Sequence, residues 1–382
     1  MVTDLRVMHV ITKGDVGGAQ THVVELCRAQ LKSGLVPTVI AGVGGPAVEQ
    51  LQSSGIDTFL IPSLTGSMSE LLRRSTLRQL RTMIRDVQPD IVHGHSSAAG
   101  LLARAAARRE GCPSVYTAHG WPFQAGARAT QRAMSLAGES IGGRFGDAVI
   151  CLTESEASLA RRYRVVRKDA IYVIPNGLAD VPGTQDRRVD HDRAPRVVMT
   201  ARFAPPKLQH ELIRALAQII DLPWNLALIG DGPQLDSCRR LGAEVLGDRV
   251  EFLGHRNDVA EVLALSDVLV LWSRYEGMPI ALLEGMRAGL CCIGSDLPGV
   301  RTLFGTPPVG LTASTLPELV GVLRRALSDR DLRARFGHDA RSRFEQHFSA
   351  DVMAKATLEV YRQVIERRRG RRGHLSSFGP NN

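Results

Sequence analysis

Two doubly wound α/β domains in tandem are the fold class that this sequence predicts, and three observations predict it. Short apolar runs of strand length alternate with helix-period segments along most of the chain, the pattern of βαβ units and a parallel sheet. The alternation breaks once, at the polar, proline- and glycine-bearing stretch LADVPGTQDRRVDHDRA over 178–194, and then resumes. At 382 residues the chain also exceeds what one hydrophobic core comfortably serves.

The first series opens with a buried strand over Arg6–Ile11 (RVMHVI), a glycine-bearing turn (KGDVGGAQ) and a helix THVVELCRAQLKSG that stops at Gly34. PTVIAG, a helix near Ala47–Ser54 and the strand DTFLIP come next. A helix over Met68–Val87, the strand PDIVHGH, a helix over Ala98–Arg109 and the strand SVYTAHG extend the series, and AVICLT and AIYVIPNG close it as further strands. The second series begins at RVVMTARF and runs through a helix over Leu208–Ile220, the strand WNLALIGDG, a helix near Pro233–Leu246, VEFLG, the helix DVAEVLALS and the strand DVLVLW. A helix from Pro279, the strand CCIGSD and helices from Leu316 onward complete it. The expected organisation is an N-terminal domain over 1–180, a linker over 181–194, a C-terminal domain over 195–348, an amphipathic helix over 349–368 and a loose tail over 369–382. Ligands of such sheets bind at the carboxyl ends of the strands, so a cleft between the two carboxyl edges is the expected active site.

Composition narrows the class. Hydrophobic residues make up 44% and charged residues 23%, which is ordinary for a soluble globular protein and sets disordered and fibrous classes aside. The net charge of +9 is nearly all arginine, because only five of the 48 basic residues are lysines (Lys13, Lys32, Lys168, Lys207 and Lys355). Arginine suits phosphates and anionic membrane surfaces, since its planar fork grips two oxygens at once. A general preference for arginine over lysine accounts for most of these positions, and no nucleic-acid partner is read from them. The six cysteines (Cys27, Cys112, Cys151, Cys238, Cys291 and Cys292) have neither disulfide-framework nor metal-ligand spacing, as in a reducing compartment. Met1–Gly14 lacks the long apolar run of a secretory signal, and no segment approaches the roughly eighteen apolar residues that span a bilayer. The expected location is cytoplasmic, with peripheral contact at the inner face of the cell membrane left open. Arg73, Arg74, Arg78, Arg81 and Arg85, on the helix Met68–Val87, would suit such contact or form a solvated face.

The segment Tyr275–Glu284 (YEGMPIALLE) carries the chemistry of the second domain. VLVLW ends in the loop SRYEG, and Pro279 fits the first turn of a helix, so Glu276 lies just before that helix and Glu284 within it. The backbone N–H groups near Gly277–Ile280 are free at the helix N-terminus, which favours an oxygen-rich, negatively charged ligand. In the first domain Gly17 and Gly18 follow the first strand, where glycine lets a backbone approach a phosphate closely.

YEGMPIALLEGMRAGLCCIGSD resembles the E-x7-E region of the retaining glycosyltransferases of family 4, which have the GT-B architecture of two Rossmann-like domains. TARFAPPKLQHELIRAL, LIGDGPQL, VEFLGHRNDVAEVLALSDVLVL, GDVGGAQTHVVELCRAQL, SVYTAHGW and VIPNG extend the likeness, in order, over nearly the whole chain. The resemblance implies transfer of a sugar from a nucleotide-diphosphate sugar to an acceptor hydroxyl, with retention and without a metal or other cofactor. The acceptor it implies is a glycan, or a lipid-linked glycan in polysaccharide biosynthesis. Arg202 and Lys207 would neutralise the donor diphosphate, with Gly17 and Gly18 approaching it. Glu284 would hold the ribose, Glu276 and the amides of Gly277 and Met278 the sugar, and the segment from Gly254 the base. His119 would stand near the reacting sugar, and the final helix would return to brace the first domain.

The sequence departs from the family at two places. Leu297-Pro298-Gly299-Val300-Arg301 carries arginine where the family often has an acidic residue, and Lys207 is followed by leucine instead of glycine. Asp190-His191-Asp192 is a DxD string of the kind that holds a metal in another glycosyltransferase fold, but it falls in the linker and is read as solvated. His93 and His95 are assigned to opposite faces of their strand; either can line the acceptor cleft and neither is taken as a metal ligand. A glycosidase would set two carboxyls roughly 5–10 Å apart across the bond, a duty Glu276 and Glu284 do not share if one reads the sugar and the other the ribose. The rival expectations are a nucleotide-sugar-binding protein without turnover and an epimerase or phosphorylase on the same architecture.

Overall fold

The computed structural model describes residues 4–15, 17–64, 74–121, 123, 129–181 and 193–376, with 129–131 and 371–376 described by their backbone alone. The described residues up to Ala179 and those from Ala350 onward form one compact unit, and those of Asp180–Ser349 form another.

In the first unit, β1 (Arg6–Lys13), β2 (Val36–Val43), β3 (Asp57–Leu60), β4 (Ile91–His95), β5 (Ser114–Ala118), β6 (Ala148–Cys151) and β7 (Ile171–Val173) make one parallel sheet in the order β3-β2-β1-β4-β5-β6-β7. Its helices are α1 (Gly18–Lys32), α2 (Pro46–Ser53), α3 (Arg74–Val87), α4 (Ser97–Glu110), α5 (Ala129–Phe145) and α6 (Glu154–Arg162). Gly34 ends the α1 segment as expected: it has φ +82°, and Leu35 N–H closes the turn onto the Gln30 carbonyl at 3.0 Å.

The second unit repeats the plan. Strands β8 (Arg196–Thr200), β9 (Asn225–Ile229), β10 (Val250–Gly254), β11 (Val268–Leu271), β12 (Cys291–Ser295) and β13 (Leu311–Ala313) pair in parallel in the order β10-β9-β8-β11-β12-β13. Helices α7 (Gln209–Ala217), α8 (Leu235–Val245), α9 (Val259–Ala264), α10 (Ile280–Arg287), α11 (Pro298–Phe304), α12 (Leu316–Ser328) and α13 (Arg330–His347) accompany them. Each sheet therefore reverses its winding once, between β1 and β4 in the first unit and between β8 and β11 in the second. These reversals leave a crevice at the strand carboxyl ends.

The last helix, α14 (Ala350–Ser376), packs on the first unit, where Met353, Val360, Tyr361 and Val364 share a core with Val7, Leu26, Ile91 and Ile150. It runs on past Arg368 into the segment expected to be a loose tail, because the helix-forming arginine run there carries the helical pattern forward. The opposite face of the sheet buries Met8, Val10, Val92, Leu80 and Ile84. Side chains thus alternate along β1, with Val7, His9 and Ile11 on one face and Met8 and Val10 on the other.

Among the described elements, α5, α6, α11 and β13 went unread in the sequence. Gly142 and Gly143 inside α5, with Gly146 just past its end, make the segment look like a loop, yet tertiary contact explains them. A Cβ at Gly142 would meet the Arg104 guanidinium at 2.4 Å, one at Gly146 its Cδ at 2.7 Å, and one at Gly143 the Val165 carbonyl at 1.6 Å. Arg104 is fully buried; it pairs with Glu139 (4% exposed) at 3.1 Å, donates to the Gly100 carbonyl at 2.8 Å and lies 4.3 Å over the Tyr116 ring. Arg104→Leu would leave Glu139 buried without its cation and is expected to cost about 3–5 kcal/mol, read as a lower urea midpoint. A loss below about 1 kcal/mol would show that Glu139 escapes to water.

Candidate active site

The C-terminal unit gathers charged groups at its winding reversal. The loop after β8 carries Arg202 and Lys207, and the loop after β11 carries Glu276. An antiparallel bridge between Lys207 and Ser273 joins the two loops; Leu208 N–H donates to the Trp272 carbonyl and Arg274 N–H to that of Pro206, each at 3.0 Å. The Ser295 hydroxyl, at the end of β12, accepts from Ser273 N–H at 2.8 Å. Held this way, the Lys207 ammonium and the Glu276 carboxylate form an ion pair, with side chains only 20% and 11% exposed. The sequence assigned these two residues to different parts of the ligand and did not foresee that they meet. Arg202 is exposed in the same loop, and its carbonyl accepts from the Gln209 amide at 3.0 Å.

Pro279 is the N-cap residue of α10, so the helix begins at Ile280, just past Gly277 and the buried Met278, and its first amides lack intrahelical acceptors. Glu284 lies half-buried inside α10, and Gly254 ends β10 with φ +65°. Gly254 also accepts, through its carbonyl, from Gly230 N–H at 2.8 Å. Two glycines are required by close approach. A Cβ on Gly299 would stand 1.7 Å from the Gly277 carbonyl, and Gly230, at φ +136°, would drive one to 2.1 Å from the Ala201 carbonyl. Both loops that carry the Lys207–Glu276 pair are therefore braced by backbone. Arg301, the departure noted in the sequence, points both its Nε and Nη2 at Asp296, at 2.6 and 2.7 Å, so its charge is met locally.

The N-terminal unit builds a second group at its own reversal. Gly17 caps α1, Gly18 begins it, and no acidic residue occupies its first turn. His119 follows β5 and accompanies four further histidines. His9 Nδ1 lies 3.0 Å from His95 Nε2, and His95 Nδ1 lies 3.2 Å from His119 Nε2. His22, on α1, holds Asn176 Oδ1 at 2.9 Å and meets His119 edge-on, with ring centroids 4.7 Å apart. Burial lowers the pKa of His9 and His22 to about 4, and pushes His93, His95 and His119 well below the usual histidine range.

His93 and His95 require a correction: they occupy the same face of β4, with ring centroids 4.2 Å apart. Strand side chains alternate at every residue, so positions two apart point the same way. The β1–β4 register sets His9 opposite His93 on that face. Both His9, His93 and His95 and the set His22, His95 and His119 bring ring nitrogens within 4.8 Å of one another, a spacing that could take a metal ion. Ser96, the next residue, has φ +64° and ψ 153°, a conformation that costs a non-glycine residue roughly 1–3 kcal/mol and often accompanies a functional site. The available sequence signal is a histidine within, or just after, each of three neighbouring strands. Asp190-His191-Asp192 and Arg73 lie outside the described residues. Arg81 and Arg85 both bind Glu110, so two of the arginines suited to a membrane surface already hold a carboxylate.

Comparison with known proteins agrees with this layout. The family profile described as Glycosyltransferase Family 4 matches residues 16–180, and that of Glycosyl transferases group 1 matches residues 184–343. The chain is 30% identical, over 69% of its length and 72% of the relative's, to an Escherichia coli UDP-Gal:alpha-D-GlcNAc-diphosphoundecaprenol alpha-1,3-galactosyltransferase. It belongs to glycosyltransferase family 4. The O-antigen biosynthesis glycosyltransferase WbnH of E. coli is 23% identical over 77% of this chain and 82% of its own. The crystal structure of Anabaena HepE in complex with UDP and glucose superposes with a TM-score of 0.79 at 19% identity, covering 94% of this chain and 100% of HepE. The family 4 chain thus has the GT-B architecture of paired Rossmann-like units and is a glycosyltransferase. Among its described residues, no helix is long and apolar enough to cross a membrane.

Proposed function

We propose that this protein moves a sugar from a nucleoside-diphosphate sugar to a hydroxyl of a lipid-linked glycan, with retention at the anomeric carbon and without a metal. The observation that carries the reading is the Lys207–Glu276 pair, held between two stitched loops at the winding reversal and directly before the N-terminus of α10. Donor binding exchanges partners there. The diphosphate takes Lys207, joined by Arg202, and Glu276 turns its oxygens to the sugar hydroxyls with the amides of Gly277 and Met278. Two fixed cations then stabilise the charge that develops on the leaving diphosphate, a task metals perform elsewhere. Glu284 holds the ribose, Gly254 borders the base, and Gly17 and Gly18 offer close backbone approach to the diphosphate. His119 addresses a sugar hydroxyl. The complex of HepE with UDP and glucose and the diphosphoundecaprenol acceptor of the E. coli relative support the donor and acceptor classes. An acceptor anchored in lipid would bring the enzyme to the inner face of the membrane.

The test incubates the purified protein with a panel of UDP-, GDP- and other nucleotide sugars and measures nucleoside-diphosphate release with and without a polyprenyl-diphosphate-linked glycan. Release should need both substrates and survive a chelator, and the product should keep the donor's anomeric configuration. Binding of donors with no turnover on any acceptor would sink the reading, and an inverted product would sink retention.

A further inference from the structure

A line of buried hydrogen bonds runs through the N-terminal unit and ends at His119. From Thr117 Oγ1 it passes to His93 Nε2 (2.7 Å), from His93 Nδ1 to the Tyr361 hydroxyl of α14 (2.6 Å), and on to Gln30 Nε2 (3.2 Å). From Gln30 Oε1 it continues to His9 Nε2 (2.8 Å), from His9 Nδ1 to His95 Nε2 (3.0 Å), and from His95 Nδ1 to His119 Nε2 (3.2 Å). Every member before His119 is buried.

Burial keeps the imidazoles neutral at physiological pH. A neutral imidazole has one N–H and one lone pair, so a ring that donates on one side must accept on the other. Direction therefore propagates along the line, and the whole line has one of two polarities. Hydroxyls and imidazoles can reverse by moving a proton. Gln30 cannot, because its oxygen and its NH2 are different atoms, and reversal there requires turning the amide over inside a packed site. Its Oε1 faces His9, so His9 carries Nε2–H. His9 Nδ1 then accepts from His95 Nε2–H, and His95 Nδ1 accepts from His119 Nε2–H.

We propose that Gln30 is a positioning residue for sugar transfer: its amide, anchored by Tyr361, holds His119 as the Nε2–H tautomer and leaves His119 Nδ1 as a lone pair for a substrate hydroxyl. The inference rests on the placement of His119 at the reacting sugar, and it adds the device that fixes which nitrogen carries the proton. It also gives α14 a part in the site, because the Tyr361 hydroxyl accepts from the Gln30 NH2 and donates to His93.

The experiment records long-range proton–nitrogen NMR correlations on full-length protein with isotope-labelled histidine, assigning His119 from the spectrum of His119→Gln. Wild type should show His119 as Nε2–H. Gln30→Met removes both ends of the amide at similar volume and should let the Nδ1–H form appear. Its kcat/KM should fall by up to roughly tenfold, the equilibrium worth of one net hydrogen bond. Tyr361→Phe keeps the ring and removes only the anchoring hydroxyl, so it should move the same signal if Gln30→Met does not fold. An Nδ1–H His119 in wild type, or an unchanged tautomer in the folded variants, would overturn the proposal. The reading of His119 at the sugar fails separately, if His119→Ala retains full transfer, and that result does not bear on the tautomer measurement.

Discussion

Lys207→Ala is expected to lower kcat/KM for transfer by roughly a hundred- to a thousandfold, the usual loss when one fixed group facing developing charge is removed. Two effects act together. The leaving diphosphate loses a cation, and Glu276, whose side chain is only 11% exposed, loses the partner that holds it in place. Glu276→Ala should fall in the same range for the complementary reason, since Lys207 loses its anchor and the sugar loses an acceptor. Because the two residues form one unit, the double variant should be far less impaired than the product of the single losses. Lys207→Arg keeps the charge but replaces a compact ammonium with a broad fork and should recover only part of the rate. Initial rates of nucleoside-diphosphate release under subsaturating donor give these values directly. Strictly multiplicative losses would show that the pair seen in the structure is not coupled in the reaction.

The second large effect concerns pH. His9 and His22 are held at about pKa 4 by burial, and His93, His95 and His119 lie well below 6.5 for the same reason. Unfolded histidine titrates near 6.5. Below that pH the unfolded chain binds protons that the folded chain refuses, so stability must fall as pH drops, and it is fully present only above about 6.5. His9 and His22 alone would each withdraw roughly 3 kcal/mol by pH 4, because every tenfold weakening of proton binding in the folded state costs about 1.4 kcal/mol. Against a total of about 5–15 kcal/mol, losses of that size should weaken the N-terminal unit markedly as pH falls below 6.5. Urea midpoints measured from pH 7.5 down to 5 should decline steeply, and His22→Asn should flatten the decline. A midpoint that stays constant between pH 6.5 and 5 would contradict it.

Much of the local placement of the candidate residues was legible because its signals are local. YEGMPIALLE places a loop carboxylate, a helix start and a helix carboxylate within ten residues, and GDVGGAQ places glycines between a strand and a helix. Neither needs the rest of the chain to be recognised. The helix α5 was hidden for the opposite reason: Gly142 and Gly143 answer to Arg104 and Val165, residues that only the fold brings beside them. The assignment of His93 and His95 to opposite faces failed on local geometry, and the correct alternation reveals a histidine face from the sequence alone.

By itself the sequence determined the two alternating βα series, the break between them and the family to which they belong. Those features repeat at the periods of helix and strand, and neighbours along the chain decide them. Only the tertiary structure decided that Lys207 meets Glu276 across 69 residues, that His9 stands opposite His93, and that Tyr361 reaches Gln30 across 331. Strand order and register set these pairings. A slip of one residue in register would turn a strand's side chains to the other face and dissolve them, although every local pattern would remain.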